Sequence, residues 1–189
     1  VAGGKLQDKA RQARTDVYRQ HILEAAEQVF AEHGFDAAKL QDISRLAEVS
    51  MGTIYAVFAG KEELFRAILD GRGRDLLEVA RACTQADGDA RAALDRLLAA
   101  YIDYFLEHRF FLRMHLRLGT SWVLGPSVNG EAQVQLWSEI HHLQAELMRR
   151  GVAAGAFVDE DPAFLSKVFS ALDQVLLADW VASGMQASR

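Results

Sequence analysis

Residues 39–61, KLQDISRLAEVSMGTIYAVFAGK, constrain the fold more than any other stretch of this chain. Leu40, Ile43, Leu46, Ala47 and Val49 recur at helical spacing, as do Ile54 and Phe58, so each set lines one face of a helix. Only Glu48-Val49-Ser50 separates the two sets. Short helices joined by so tight a turn must meet at a steep angle, the helix-turn-helix arrangement. The second helix, Met51 to Val57, turns Met51, Gly52, Thr53, Tyr55 and Ala56 outward. A merely solvated helix would carry Lys, Glu or Arg there. An uncharged face with a hydroxyl and a phenol suits the major groove of DNA.

A longer pattern surrounds this stretch. Ile22-Leu23-Glu24-Ala25-Ala26 through Phe30, Gly34-Phe35, Asp42-Ile43, Val49-Ser50, Gly52-Thr53-Ile54-Tyr55, Phe58 and Lys61-Glu62-Glu63-Leu64 follow in register without gaps. The string resembles the N-terminal domain of TetR-type transcriptional regulators; the rest of the chain shares only size and helical character with them. The resemblance implies a homodimer on a palindromic double-stranded DNA operator, repression by occluding a promoter, and release by a small-molecule effector. It implies phosphate contacts from Thr53, Tyr55 and Lys61, base-edge contacts from Gln41, Met51, Gly52 and Ala56, and Ser50 beside them. Gln pairs bidentately with adenine, whereas Met51 and Ala56 offer packing on thymine methyls. The bland alternative makes Tyr55 a core aromatic and Met51 a surface accident.

Two residues depart from the family pattern. Lys39 stands where Ser or Thr usually caps the helix, a loss of about 1 kcal/mol. Asp42 still favours that helix start through the dipole, and Lys39 is read as a direct phosphate contact. Glu48 stands where Gly is common; a left-handed backbone there costs a non-glycine residue about 1 kcal/mol.

The net charge of −5 runs mildly against a nucleic-acid binder. Phosphate affinity follows local charge, however, and within residues 1–20 Lys5, Lys9, Arg11, Arg14 and Arg19 face only Asp8 and Asp16. Residues 1 to about 14 read as a disordered basic segment, either a solvated tail or an arm lying on phosphates or in the minor groove. The single Cys83 has no internal partner for a disulfide, which fits a reducing cytosol. No run approaches the roughly 20 apolar residues of a membrane helix, and Val1-Ala2-Gly3-Gly4-Lys5 lacks the apolar run of a secretion signal. A soluble, cytoplasmic protein is expected.

The expected fold is all-α, with an arm and helix-turn-helix DNA-binding domain over 1–60 and a helical ligand-binding and dimerisation domain over 61–189. The first helix should run from about Asp16 to His33, capped by Thr15 or Asp16, with Gly34 at its left-handed end. The second spans about Leu40 to Ala47. The fourth runs from Gly60-Lys61-Glu62-Glu63 to about Thr84, with Gly71-Arg72-Gly73 marking either close packing, a kink or a hinge. Gln85-Ala86-Asp87-Gly88-Asp89 is a loop. Helices follow over Ala90–Leu106 and Arg109–Leu118, then an irregular connection from Gly119 to Asn129 containing Gly125 and Pro126. A helix over Gly130–Arg150 should stop at Gly151. Asp161-Pro162 opens the last helix, which is apolar on more than one face: Phe164, Leu165, Val168, Phe169, Leu172, Val175, Leu176, Leu177 and Trp180. Such a helix needs cover on two sides, and a homodimer through the last two helices supplies it.

Phe105, Phe111, Met114, His115, Trp122, Trp137 and Phe169 are candidates for an apolar effector pocket; each reads more readily as core than as a ligand contact. Asp173, on the most apolar helix, is either an anchor for a cationic or hydroxylated ligand or a residue at the dimer seam. An enzyme reading has Glu139 and His142, one Glu-x-x-His where a di-metal bundle needs two. There is no His-Glu-x-x-His, phosphate-binding glycine loop or Gly-x-Ser-x-Gly, so no cofactor, metal or catalytic residue is expected. The remaining alternatives are a helical small-molecule-binding protein that has lost operator recognition and a metal-dependent helical-bundle enzyme.

Overall fold

The computed structural model describes residues 2–85, 88–119, 122 and 131–185. Among these the regular structure consists of helices: α1 (Ala2–Ala37), α2 (Leu40–Leu46), α3 (Met51–Val57), α4 (Lys61–Thr84), α5 (Ala90–Glu107), α6 (Arg109–Arg117), α7 (Glu131–Ala153) and α8 (Pro162–Ala182). Ala86 and Asp87 of the expected loop lie outside the described residues. So do Gly125 and Pro126 of the expected irregular connection, and the side chains of Lys5 and Arg11. No helix is long and apolar enough to cross a membrane among the described residues.

The chain falls into two compact units, Val1–Leu69 and Asp70–Arg189, and α4 contributes to both. In the first unit α1, α2 and α3 pack on one another. Ile22, Ala26 and Phe30 from α1 are fully buried, as are Ile43 of α2, Ile54 of α3 and Leu64 of α4. Each large side chain so buried contributes roughly 1.5–3 kcal/mol. Phe65 stands edge-on to Phe30 (5.3 Å) and to Phe35 (4.9 Å), which ties the first turns of α4 into this core.

Two expectations about helix ends are corrected. The basic segment is not a disordered tail: α1 begins at Ala2, and Thr15 and Asp16 sit inside it rather than capping it. No proline interrupts the first 37 residues, and Lys, Gln, Ala and Arg are all good helix formers. Gln12 also donates to Asp16 one turn on, at 2.9 Å. At the other end α7 does not stop at Gly151 but runs to Ala153. The left-handed residue after it is Gly155 (φ 69°). Gly151 is glycine for a different reason: a Cβ there would lie 2.0 Å from the Phe157 ring. Phe157 folds back over it and donates its backbone N–H to the Gly151 carbonyl.

In the second unit α7 packs along α8 and against α5, and α6 touches α5 and α8. Gly71-Arg72-Gly73 does not interrupt α4, which is continuous. A Cβ on Gly73 would approach Leu136 Cδ1 at 3.1 Å, so close packing explains that glycine, whereas Gly71 has open space. Asp161 caps α8 as expected, accepting from Ala163 and Phe164 N–H at 3.2 Å. The faces of α8 are the surprise. Ser166, Phe169, Ser170, Asp173 and Leu177 point inward, while Phe164, Val168, Leu172, Val175 and Leu176 are each about half exposed.

Candidate nucleic-acid interface and effector pocket

The α2–α3 turn is built from backbone bonds that the sequence permits at one cost. Val49 N–H reaches Ser44 O (3.1 Å) and Glu48 N–H reaches Arg45 O (3.3 Å). This pairing closes a helix when the residue after its C-cap is left-handed. Glu48 occupies that place at φ 53°, the conformation that glycine adopts without strain. Ser44 Oγ adds a bond to Val49 O at 2.6 Å. Ser50 then caps α3: its Oγ accepts from Thr53 N–H (3.0 Å) and lies 2.9 Å from Thr53 Oγ1.

This geometry presents a face. Gln41, Ser50, Gly52, Tyr55 and Ala56 are exposed, and Met51 and Thr53 are half-buried. Tyr55 is 57% exposed, so it is not a core aromatic; Ile54 and Phe58 are the buried residues of its turn. Gly52 is not required by packing within the chain, because a Cβ would meet only Ser50 Oγ, at 3.7 Å. Lys39 is exposed and makes no side-chain capping bond to α2.

Lys61 is held elsewhere. Its ammonium donates to the carbonyls of Phe35 (2.7 Å), Asp36 (3.1 Å) and Ala38 (3.2 Å) and sits 4.6 Å over the Phe35 ring. An ammonium has three protons, and all three are engaged on the chain leaving α1. The α1 helix breaks at Gly34 (φ 78°, ψ 167°), a conformation open essentially to glycine alone. The carbonyls that follow lie outside regular helix pairing, and Lys61 satisfies them. This contact was missed in the sequence because nothing local marks it: the partners are up to 26 residues apart.

The second unit encloses a small cavity lined by Leu76, Tyr101, Phe105, Trp122, Trp137, Ile140, Gln144, Ser170 and Asp173. At about 20 Å³ it has room for roughly one water. Phe105, Trp122, Trp137 and Asp173 thus meet at one site. Phe111, Met114, His115 and Phe169 are buried but stand outside the lining. Phe111 and His115 extend the ring stack, with His115 against Trp137 at 5.6 Å. Burial pushes His115 down to about 4 and Asp173 up to about 7. Gln144 and Ser170 were not anticipated; Gln144 Oε1 accepts from both Ser166 and Ser170 hydroxyls at 3.1 Å. The signal was Ser166, Ser170 and Asp173 at i, i+4 and i+7, a polar stripe on an otherwise apolar helix. Glu139, of the single Glu-x-x-His, pairs with Arg81. Among the described residues no three His, Cys, Asp or Glu side chains cluster as metal ligands.

A capped reading helix on a compact three-helix head, joined to a separate helical unit, defines a DNA-binding protein of the helix-turn-helix class. Comparison with known proteins agrees. Residues 22–68 match the family model for bacterial regulatory proteins of the tetR family. The uncharacterised HTH-type transcriptional regulator YhgD of Bacillus subtilis is 26% identical over 84% of this chain and 82% of its own length. The HTH-type transcriptional repressor NicS of Pseudomonas putida is 31% identical, but over 54% of this chain and 48% of its own. Among solved structures, the fatty acid degradation regulator FadR of Bacillus halodurans superposes with a TM-score of 0.76 at 21% identity, covering 90% of this chain and 87% of that one. The FadR of Bacillus subtilis, in complex with stearoyl-CoA, gives 0.73 at 17% identity, with 89% of each chain covered. Residues 22–68 thus form a tetR-type DNA-binding head, and the curated relatives that share it are transcription regulators.

Proposed function

We propose that the protein is a repressor that binds a palindromic operator as a homodimer and is released by a small-molecule effector. The observation that carries this reading is the uncharged, outward face of α3, with Tyr55 57% exposed on it. In this reading Thr53, Tyr55 and Lys39 hold phosphates and fix register. Gln41, Met51, Gly52 and Ala56 approach base edges, and Ser50 sets the start of α3. Lys61 acts as a positioning residue, locking the end of α1 to the first turn of α4.

The dimer reading is supported by the outward stripe of α8, where Phe164, Val168, Leu172, Val175 and Leu176 leave a contiguous apolar face uncovered. Patches of this kind mark interaction sites. A two-fold dimer places two reading helices on half-sites about one DNA turn apart. The effector reading is supported by the cavity and by the stearoyl-CoA complex of a structural neighbour. Because α4 belongs to both units, a ligand favouring another tilt of α4 changes the separation of the reading helices and releases DNA. Selection of bound duplexes from a random pool, with the mass of each complex recorded, tests this. A palindrome carrying an even number of subunits is expected. Salt-dependent binding to every duplex, with no enrichment, overturns it.

A further inference from the structure

Resting on the reading of the cavity as the effector site, we propose that its occupant is a compact organic cation, an apolar body ending in a protonated amine. Asp173 is its counter-ion, and Phe105, Trp122 and Trp137 form its walls.

The argument starts from what the lining offers. Asp173 is 4% exposed, and burial alone acts on its carboxyl, with no hydrogen bond or ion pair from the described residues. Buried carboxyl groups are ordinarily paired, since isolation from water is costly. Among the described residues no Lys or Arg lines the cavity. The nearby His115 is held neutral by burial. Tyr101 Oη also lacks a partner, with Gln144 close by but outside hydrogen-bond geometry. Three aromatic residues complete the wall, with Phe105 and Trp122 stacked at 5.2 Å. Ring faces carry negative potential and attract cations. The Asp173 carboxyl and the ring faces favour positive charge, and the Tyr101 hydroxyl and Trp122 indole N–H, both buried without a partner, are the donors that the described lining leaves for a polar atom of the occupant.

This chemistry separates the cavity from one made for a hydrocarbon chain. An acyl tail would leave Asp173 and Tyr101 unpaired, and a carboxylate would face Asp173 directly. The cavity as it stands is near the size of one water, so an occupant must displace a side chain. Among the described lining residues Trp137 alone is not buried, which makes it the wall that yields.

The test uses three probes with one body: 3-phenylpropylamine, 3-phenylpropanol and 3-phenylpropanoate, titrated into the full chain. Tryptophan fluorescence reports occupancy, since Trp122 and Trp137 both line the site. The amine is expected to bind at least tenfold more tightly than the alcohol or the acid. Asp173→Asn should lower amine affinity at least tenfold and leave the alcohol unchanged, and Tyr101→Phe should weaken the amine by a smaller factor. A thermal melt of each variant confirms that it is folded. Equal binding of amine and alcohol, tighter binding of the acid, or indifference of the amine to Asp173→Asn overturns the proposal. So does failure of all three to bind, which would leave the cavity a site for an internal water. An amine that binds tightly yet fails to release selected operator DNA keeps the cation site and overturns the effector reading instead.

Discussion

The two units place their polar groups in opposite ways. In the first, apolar side chains of α1, α2, α3 and the start of α4 converge inward, Glu27 is the buried charged residue among those described, and Gln41, Ser50 and Tyr55 face out. In the second, α8 turns Ser166, Ser170 and Asp173 inward and leaves Leu172, Val175 and Leu176 uncovered. The head satisfies its own interior, so its outward face is free to be chosen for a partner. The second unit holds unmet polarity inside and unmet apolar surface outside. Both conditions cost stability in an isolated chain, and in the proposed function both are relieved by binding, one by a ligand and the other by a second subunit.

The sharpest way to break this contrast is to damage the head core. Phe30 is fully buried, and Phe30→Ala should cost about 3–5 kcal/mol in urea denaturation, abolishing DNA binding with it. In the second unit the opposite sign is expected. Burial raises Asp173 to about 7 from its ordinary 3.8, so the folded state resists ionising a group that the unfolded chain ionises freely. The penalty is absent below pH 3.8, grows as pH rises toward 7 and is then constant. Asp173→Asn should therefore stabilise the protein by roughly 2–4 kcal/mol at pH 8, with the gain shrinking as pH is lowered to 5. A gain independent of pH would show that Asp173 is not the buried acid described.

Lys61 distinguishes positioning from phosphate contact. Lys61→Met removes the charged donors to three carbonyls and should cost roughly 1.5–3 kcal/mol while leaving the salt slope of operator binding unchanged. Lys39→Ala should do the reverse, lowering that slope by about 1 with little loss of stability. Glu48→Gly relieves the left-handed backbone and should raise stability by about 1 kcal/mol, measured by the denaturation midpoint. Tyr55→Phe should change stability by no more than about 0.5 kcal/mol, yet weaken operator binding in a gel-shift assay by removing an exposed phenol.

Much of the head was legible because its determinants are local. Leu40–Leu46 and Met51–Val57 follow from apolar spacing. In the second unit the Asp161 cap was legible for the same reason, since its side-chain oxygens reach backbone N–H groups two and three residues on. The cavity of the second unit was half legible. Aromatic residues in the right helices named Phe105, Trp122 and Trp137, but nothing in their spacing separates a cavity wall from ordinary core. Phe111, Met114 and Phe169, with the same character, are buried away from the lining.

By itself, then, the sequence determined α2 to α6 and α8, the steep turn at Glu48, the outward face of α3 and the likeness of the head to the tetR family. All of these rest on interactions within a few residues or on a single periodic stripe. Tertiary structure alone decided which side of α8 goes inside, since that helix carries an apolar and a polar stripe and periodicity does not rank them. It also decided that Gly151 serves the Phe157 ring rather than a helix end, and that the Lys61 ammonium rests on the carbonyls of Phe35, Asp36 and Ala38. Each depends on chain segments brought together only by packing, and the energy of such a contact leaves no pattern in the order of the residues.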